Sequence, residues 1–132
     1  MKILPLKKSS EFQKIGKKGE KFFAKTLLLL SSHTPQIYLQ NLNENKNAAE
    51  FCRVGYTVAK TVSKSAVVRN RAKRRLREVF KVLAPLHAKN LRDYVVIARK
   101  EIADADFEKI FADLKFCITR IHTASNKNSP KK

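Results

Sequence analysis

Arg69-Asn70-Arg71-Ala72-Lys73-Arg74-Arg75-Leu76-Arg77 is the densest group of chemically capable side chains in the sequence. Lys60, Lys64 and Lys81 extend the charge on either side, and Glu78 is the one acid between Lys60 and Lys81. A guanidinium grips two phosphate oxygens through parallel N–H donors and also stacks on nucleobases, so an arginine-led run suits a polyphosphate ligand. Asn70 adds a neutral donor and acceptor that fit a ribose or a base edge. At about 100° per residue a helix gathers Val68, Ala72, Leu76, Val79 and Leu83 on one side. Arg69, Asn70, Lys73, Arg74, Arg77 and Lys81 gather on the other, with Phe80 at the apolar margin and Arg71 and Arg75 nearer the far border. A basic run is usually only a solvated face. Here like charges stand at i,i+4, as in Arg69 with Lys73 and Lys73 with Arg77, which weakens an isolated helix. Glu78 cannot relieve this alone, and an external polyanion can.

The other reactive side chains do not assemble into a protein active site in the sequence. His33, His87 and His122 are scattered, and Cys52 and Cys117 lie outside any CxxC or Cys/His cluster. No zinc site is therefore expected, and both cysteines read as reduced, partly buried thiols. Asp104 and Glu108 stand at i,i+4, a spacing that can hold a metal. With Glu101 and Asp106 they are better explained as carboxylates at the positive end of a helix dipole. Gly16, Gly19 and Gly55 build no phosphate loop. No nucleophile beside a base, and no metal-binding carboxylate pair, is otherwise evident.

The elements must present this charge on a folded body. The chain has 132 residues, enough for one domain, and 43% are hydrophobic, enough for a core. Its net charge of +18 is self-repelling unless a polyanion neutralises it. Apolar runs such as residues 27–30 are too short to cross a bilayer, and the N-terminal Met1-Lys2-Ile3-Leu4-Pro5 lacks the apolar stretch of a signal peptide. A cytoplasmic nucleic-acid binder is expected, with no membrane partner. A DNA major groove would satisfy the same charges, but the chain shows neither a helix-turn-helix pair nor a leucine zipper.

Residues 1–8 read as a loose basic tail, 9–122 as one domain and 123–132 as a disordered basic tail. Within the domain, Ser9 or Ser10 caps a helix to Lys18, with Phe12 and Ile15 on one face and Gly19 as its stop. Residues 22–31 read as one strand. Residues 32–50, with Pro35 and an Asn-rich run, read as a long loop in which Ile37-Tyr38-Leu39 can form an edge strand. Residues 51–59 alternate as a strand, with Cys52, Val54, Tyr56 and Val58 on one face. The basic helix spans 65 or 66 to 83 and ends before Pro85. A buried strand at 94–98 and a helix at 104–122 follow, the helix with Phe107, Ile110, Phe111, Leu114, Ile118 and Ile121 as its apolar face. The order αββαβα predicts an α+β sandwich.

The nine-residue basic segment closely resembles the RNR signature of the bacterial ribonuclease P protein family. Val54-Gly55-Tyr56-Thr57-Val58-Ala59-Lys60 before it, Asp93-Tyr94-Val95-Val96-Ile97-Ala98-Arg99 after it, and Phe12-Gln13-Lys14 with Gly19 near the start are similar to the family's flanking strands and first helix. The resemblance covers about residues 6–121. It implies a two-layer αββαβα sandwich with a left-handed βαβ crossover, ribosomal protein S5 domain 2-like. It implies a subunit that binds a catalytic RNA and supports removal of the 5′ leader from precursor tRNA. The RNA would carry the active site and hold Mg2+, the protein alone would bind no cofactor, and no obligate protein partner is implied. Lys60, Lys64, Arg69, Asn70, Arg71, Lys73, Arg74 and Arg77 would contact the RNA subunit, and Phe12 the leader. Gly16 stands where many relatives carry a second aromatic and Leu30 where some carry a tyrosine, so either leader stacking is weaker here or Phe22, Phe23 or Tyr56 takes part. The alternative is a non-catalytic ribosomal-type or rRNA-binding protein, which needs no leader cleft.

Overall fold

A computed structural model describes residues 2–6, 9–35 and 51–128. The elements are β1 (Lys2–Pro5), α1 (Ser9–Lys18), β2 (Glu20–Phe23), β3 (Leu27–His33), β4 (Phe51–Thr57), α2 (Ala66–His87), β5 (Arg92–Ala98), a 3-10 turn (Lys100–Asp104) and α3 (Phe107–Asn128). The five strands form one mixed sheet in the order β1-β4-β5-β3-β2. β4 and β5 are parallel neighbours joined through α2, the βαβ unit that the resemblance implies.

Strand alternation divides the core. Leu27 and Leu29 of β3, Cys52 and Val54 of β4, and Tyr94, Val96 and Ala98 of β5 face α2 and α3. Leu30 and Val95 face the other way and bury Ile15 of α1 together with Leu6. One face of the sheet thus carries two long helices, and the other carries the short α1.

Several boundaries differ from the sequence expectations. The basic N-terminal tail is an edge strand over Lys2–Pro5, parallel to β4, with Ile3 against the larger core and Leu6 buried in the smaller. The single strand expected at 22–31 is a hairpin, β2 turning at Ala24-Lys25-Thr26 into β3. The turn is fixed from a distant element. Thr26 donates to Asp113 Oδ2 of α3 through its backbone N–H at 3.0 Å and its hydroxyl at 2.6 Å. Burial works against the Asp113 carboxylate, but the Thr26 bonds and Lys109 outweigh it and hold the carboxyl below its ordinary range.

α2 continues through Pro85 to His87 instead of ending before the proline. Pro85 removes one backbone donor. Leu83 and Ala84 are fully buried, and Ala88 N–H closes on the Ala84 carbonyl at 2.9 Å, so packing holds the last turn. The last helix starts at Phe107, with the Asp106 carboxylate accepting Lys109 N–H at 2.8 Å, and its backbone runs to Asn128, into the segment expected to be a disordered tail. Phe107 is largely exposed, unlike Ile110, Leu114, Ile118 and Ile121. The possible strand at Ile37-Tyr38-Leu39 and residues 129–132 lie outside the described residues. No helix among the described residues is long and apolar enough to cross a membrane.

Near the end of α3, His122 is buried with Nε2 2.7 Å from the Tyr94 hydroxyl. That hydroxyl already accepts Lys89 N–H at 2.9 Å, so its proton is directed to Nε2. Nδ1 has no hydrogen-bond partner among the described residues. Burial, then the charges of Arg92 and Lys89, push the imidazole down to about 4. The unfolded histidine takes up its proton near 6.5 and the folded one near 4, so the stabilisation is complete above pH 6.5 and is lost as pH falls towards 4. Denaturant melts from pH 7 to pH 4 should show a loss on the order of 3 kcal/mol from this group. His122→Gln, which keeps an acceptor for Tyr94 but cannot titrate, should flatten that part of the profile. An unchanged slope in the variant would place the acid sensitivity elsewhere.

Candidate nucleic-acid interface

Ser65 caps α2, its hydroxyl accepting Val68 N–H at 3.3 Å. The helix buries Ala72, Leu76, Val79, Phe80, Leu83 and Ala84. Phe80 is not marginal: it is fully buried, with ring centroids 6.3 Å from Tyr56 and 5.6 Å from Tyr94. The two aromatic rings on β4 and β5 rotate the buried arc of α2 towards Phe80. Asn70, Arg71, Arg74, Arg77 and Lys81 consequently point to solvent, and Arg69, Lys73 and Arg75 lie half-buried along the borders. Two border arginines are anchored to backbone carbonyls, Arg69 to Ser63 at 2.8 Å and Arg75 to Ala105 at 3.1 Å. Lys60 and Lys64 are exposed on the approach to the helix. The ion pairs among the described residues lie elsewhere and leave the cations of α2 unneutralised.

Beside this helix a cleft of about 710 Å³ runs along the β1–β4 edge. Ile3, Leu4, Pro5 and Leu6 form one wall, Val54, Gly55 and Tyr56 the floor, and Lys73, Arg77, Lys81 and Pro85 the α2 rim, with Phe12 of α1 closing it. The Arg77 guanidinium lies 5.9 Å from the Tyr56 ring centroid. Burial pushes the Tyr56 hydroxyl well above its ordinary value and keeps it neutral. Such a site offers apolar and aromatic surface to bases and cations to a backbone.

Phe12 reaches this position because Gly55 has no side chain. A Cβ at Gly55 would sit 2.2 Å from Phe12 Cζ. α1 is held in place by Ile15 and by Arg53, which is 3% exposed. Arg53 Nε and Nη2 donate to the Asp93 carboxylate at 2.8 and 2.5 Å, and Nη1 to Glu11 at 2.6 Å. Burial disfavours the guanidinium charge, but Asp93 and Glu11 outweigh it and raise its pKa.

The structure thus brings Phe12 and Tyr56 to the same cleft as Lys73 and Arg77. It does not bring Phe22 there: Phe22 lies on β2, at the far edge of the sheet from β1 and β4, and packs against the α2–α3 core. Alternation in β2 sends Glu20 and Phe22 one way and Lys21 and Phe23 the other. The β1 wall was missed in the sequence, and Lys81 was placed on the cationic face but not among the RNA contacts. The apolar residues within Lys2–Leu6 were the one visible signal of that wall. Gly16 is exposed with open space where a side chain would be, and Leu30 is buried beneath α1.

A family model described as Ribonuclease P matches residues 2–122. The chain is 37% identical to the ribonuclease P protein component of Paramagnetospirillum magneticum over 116 residues, 88% of this chain and 80% of the relative. It is 35% identical to that of Clostridioides difficile over 115 residues, 87% of this chain and 89% of the relative. Its fold is similar to the RNase P protein of Staphylococcus aureus, with TM-score 0.66 and 28% identity over 92% of this chain and 94% of the other. The RNase P protein of Thermotoga maritima shares the fold at TM-score 0.70 and 23% identity, covering 89% and 96% of the two chains.

The Phe12–Gly55 contact is open to a double-mutant cycle. Gly55→Ala should cost about 1–3 kcal/mol in a denaturant melt, because the ring must move. In a Phe12→Ala background the same change should cost clearly less. Strictly additive losses would contradict the contact.

Proposed function

The chain belongs to the ribonuclease P protein family, and we propose that it binds two RNAs at once: the RNA subunit through α2, and the 5′ leader of precursor tRNA in the cleft beside it. As a ribonuclease P component it is part of an endoribonuclease and a partner of ribonuclease P RNA. The observation that carries the finer reading is the sharing of Lys73 and Arg77 between the cationic face of α2 and the cleft that holds Phe12 and Tyr56.

In this reading Arg71, Arg74 and Asn70, with Lys60, Lys64 and Arg69, take up phosphates and sugars of the RNA subunit. Binding releases counterions and relieves the repulsion along α2. Lys73 and Arg77 turn the leader's backbone into the cleft, and Phe12 and Tyr56 take its bases. The RNA supplies the reacting groups and holds magnesium, and the protein raises the affinity for substrates that still carry a leader. It works where precursor tRNA is processed, in the cytoplasm.

At low magnesium, cognate ribonuclease P RNA should cleave precursor tRNA at the correct 5′ site when this protein is added, while the protein alone cleaves nothing. Binding of the RNA with no gain in cleavage would favour a general RNA-binding protein instead. Replacing Arg71 and Arg74 by Ala should weaken assembly with the RNA subunit and lower the slope of log affinity against log salt by about 1–2. An unchanged slope would remove this face of α2 from the interface.

A further inference from the structure

α1 leaves part of its sheet face uncovered. Register places Lys21, Leu30, Val95 and Gly55 in one row across β2, β3, β5 and β4, and Phe23, Leu28, Ile97 and Thr57 in the next. Ile15 and Phe12 cover Leu30, Val95 and Gly55 of the first row. The second is covered only in part: Phe23 is 67% exposed, Leu28 and Ile97 are half-buried against the α1 cluster, and Thr57 is half-buried.

Phe23 is not a stray surface aromatic. The Arg99 guanidinium lies 5.5 Å from its ring centroid. Arg99 is itself fixed, with Nη1 donating to the Ala24 carbonyl at 2.8 Å and its backbone N–H to the Thr26 carbonyl at 2.8 Å. Lys21 and Lys25 are exposed beside it. An aromatic ring backed by a fixed guanidinium, at the end of an apolar row and among cations, suits a base on a polyanionic strand. Strand spacing of about 4.8 Å puts Phe23 about 14 Å across the sheet from β4, where Phe12 sits next to α2.

We propose that Phe23, backed by Arg99, is the distal base-stacking position of the leader cleft and takes over surface that Gly16 and Leu30 do not offer. The inference rests on the leader reading above and adds a direction: the single strand enters beside α2 at Phe12 and crosses the partly covered row towards β2. Phe23 therefore meets nucleotides farther from the cleavage site than Phe12 does.

The test uses the assembled holoenzyme and precursor tRNAs with leaders of graded length. Phe23→Ala should weaken binding of long-leader substrate about tenfold. Phe23→Tyr should retain affinity, and Phe23→Leu should lose it. As the leader is shortened, the Phe23→Ala variant should converge on the wild type while the Phe12→Ala defect persists. Wild-type affinity of Phe23→Ala at every length, with Phe12→Ala impaired, overturns this proposal alone. An equal Phe23→Ala loss at every length, mature tRNA included, also overturns it, since the residue would then act through the fold. If neither variant discriminates between precursor and mature tRNA, the leader reading fails with it.

Discussion

Arg53 sits inside the sheet with its charge almost wholly removed from water, and the surface beside it depends on how that charge is met. Asp93 on the neighbouring strand takes two of its donors, Glu11 on α1 takes a third, and Thr34 adds a bond to Asp93 at 3.0 Å. Removing one partner of such a buried group typically costs about 3–5 kcal/mol, because the remaining charge is left unpaired. The arrangement therefore sets where α1 lies. With Glu11 tied down, Phe12 one residue later is placed over Gly55, and Ile15 one turn on is placed over Leu30 and Val95. A hydrophobic contact alone would tolerate some sliding of a ten-residue helix. An oriented guanidinium fork does not.

The opposite face of the sheet resolves a different conflict. α2 carries a concentration of positive charge that opposes its own folding, and its stability comes from the six residues it buries against the sheet and α3. Phe80 is central to this, wedged between Tyr56 and Tyr94. The same ring that anchors the helix rotates it, and the rotation brings Lys73 and Arg77 to the cleft rim while Asn70, Arg71 and Arg74 stay free for another partner. The cationic face of α2 and the aromatic cleft thus meet at the β4 side of one small domain.

The parts legible in the sequence were those governed by local periodicity. The amphipathic pattern of 66–83 gave the charged helix, the alternation of 51–59 gave β4, and the apolar positions of the last helix gave most of its buried face. The RNR resemblance gave the family and pointed to Phe12, while Phe22, Phe23 and Tyr56 stood as equal substitutes for the aromatics absent at Gly16 and Leu30. The missed features depend on contacts between distant residues. The β2–β3 turn is held by Asp113, 87 positions away from Thr26, so nothing within the stretch marks it. β1 is only four residues long, and becomes a strand only because β4 has an edge to pair with. Phe22 and Phe23 look equivalent in the sequence, and a shift of one residue in strand phase decides which of them is buried. Pro85 read as a helix stop because the packing that overrides it comes from the far side of the core.

The proposal that α2 and the α1 face address different RNAs within one particle is open to a direct test. Cys52 and Cys117 are buried, with thiols pushed up to about 11 and about 12, so a single new surface cysteine can be labelled selectively. A photocrosslinker attached at Arg74→Cys or at Gly16→Cys, in the holoenzyme bound to precursor tRNA, reads the claim directly. Crosslinks are expected from position 74 to the ribonuclease P RNA and from position 16 to the leader. Leader crosslinks from position 74 and none from position 16 would contradict the proposal.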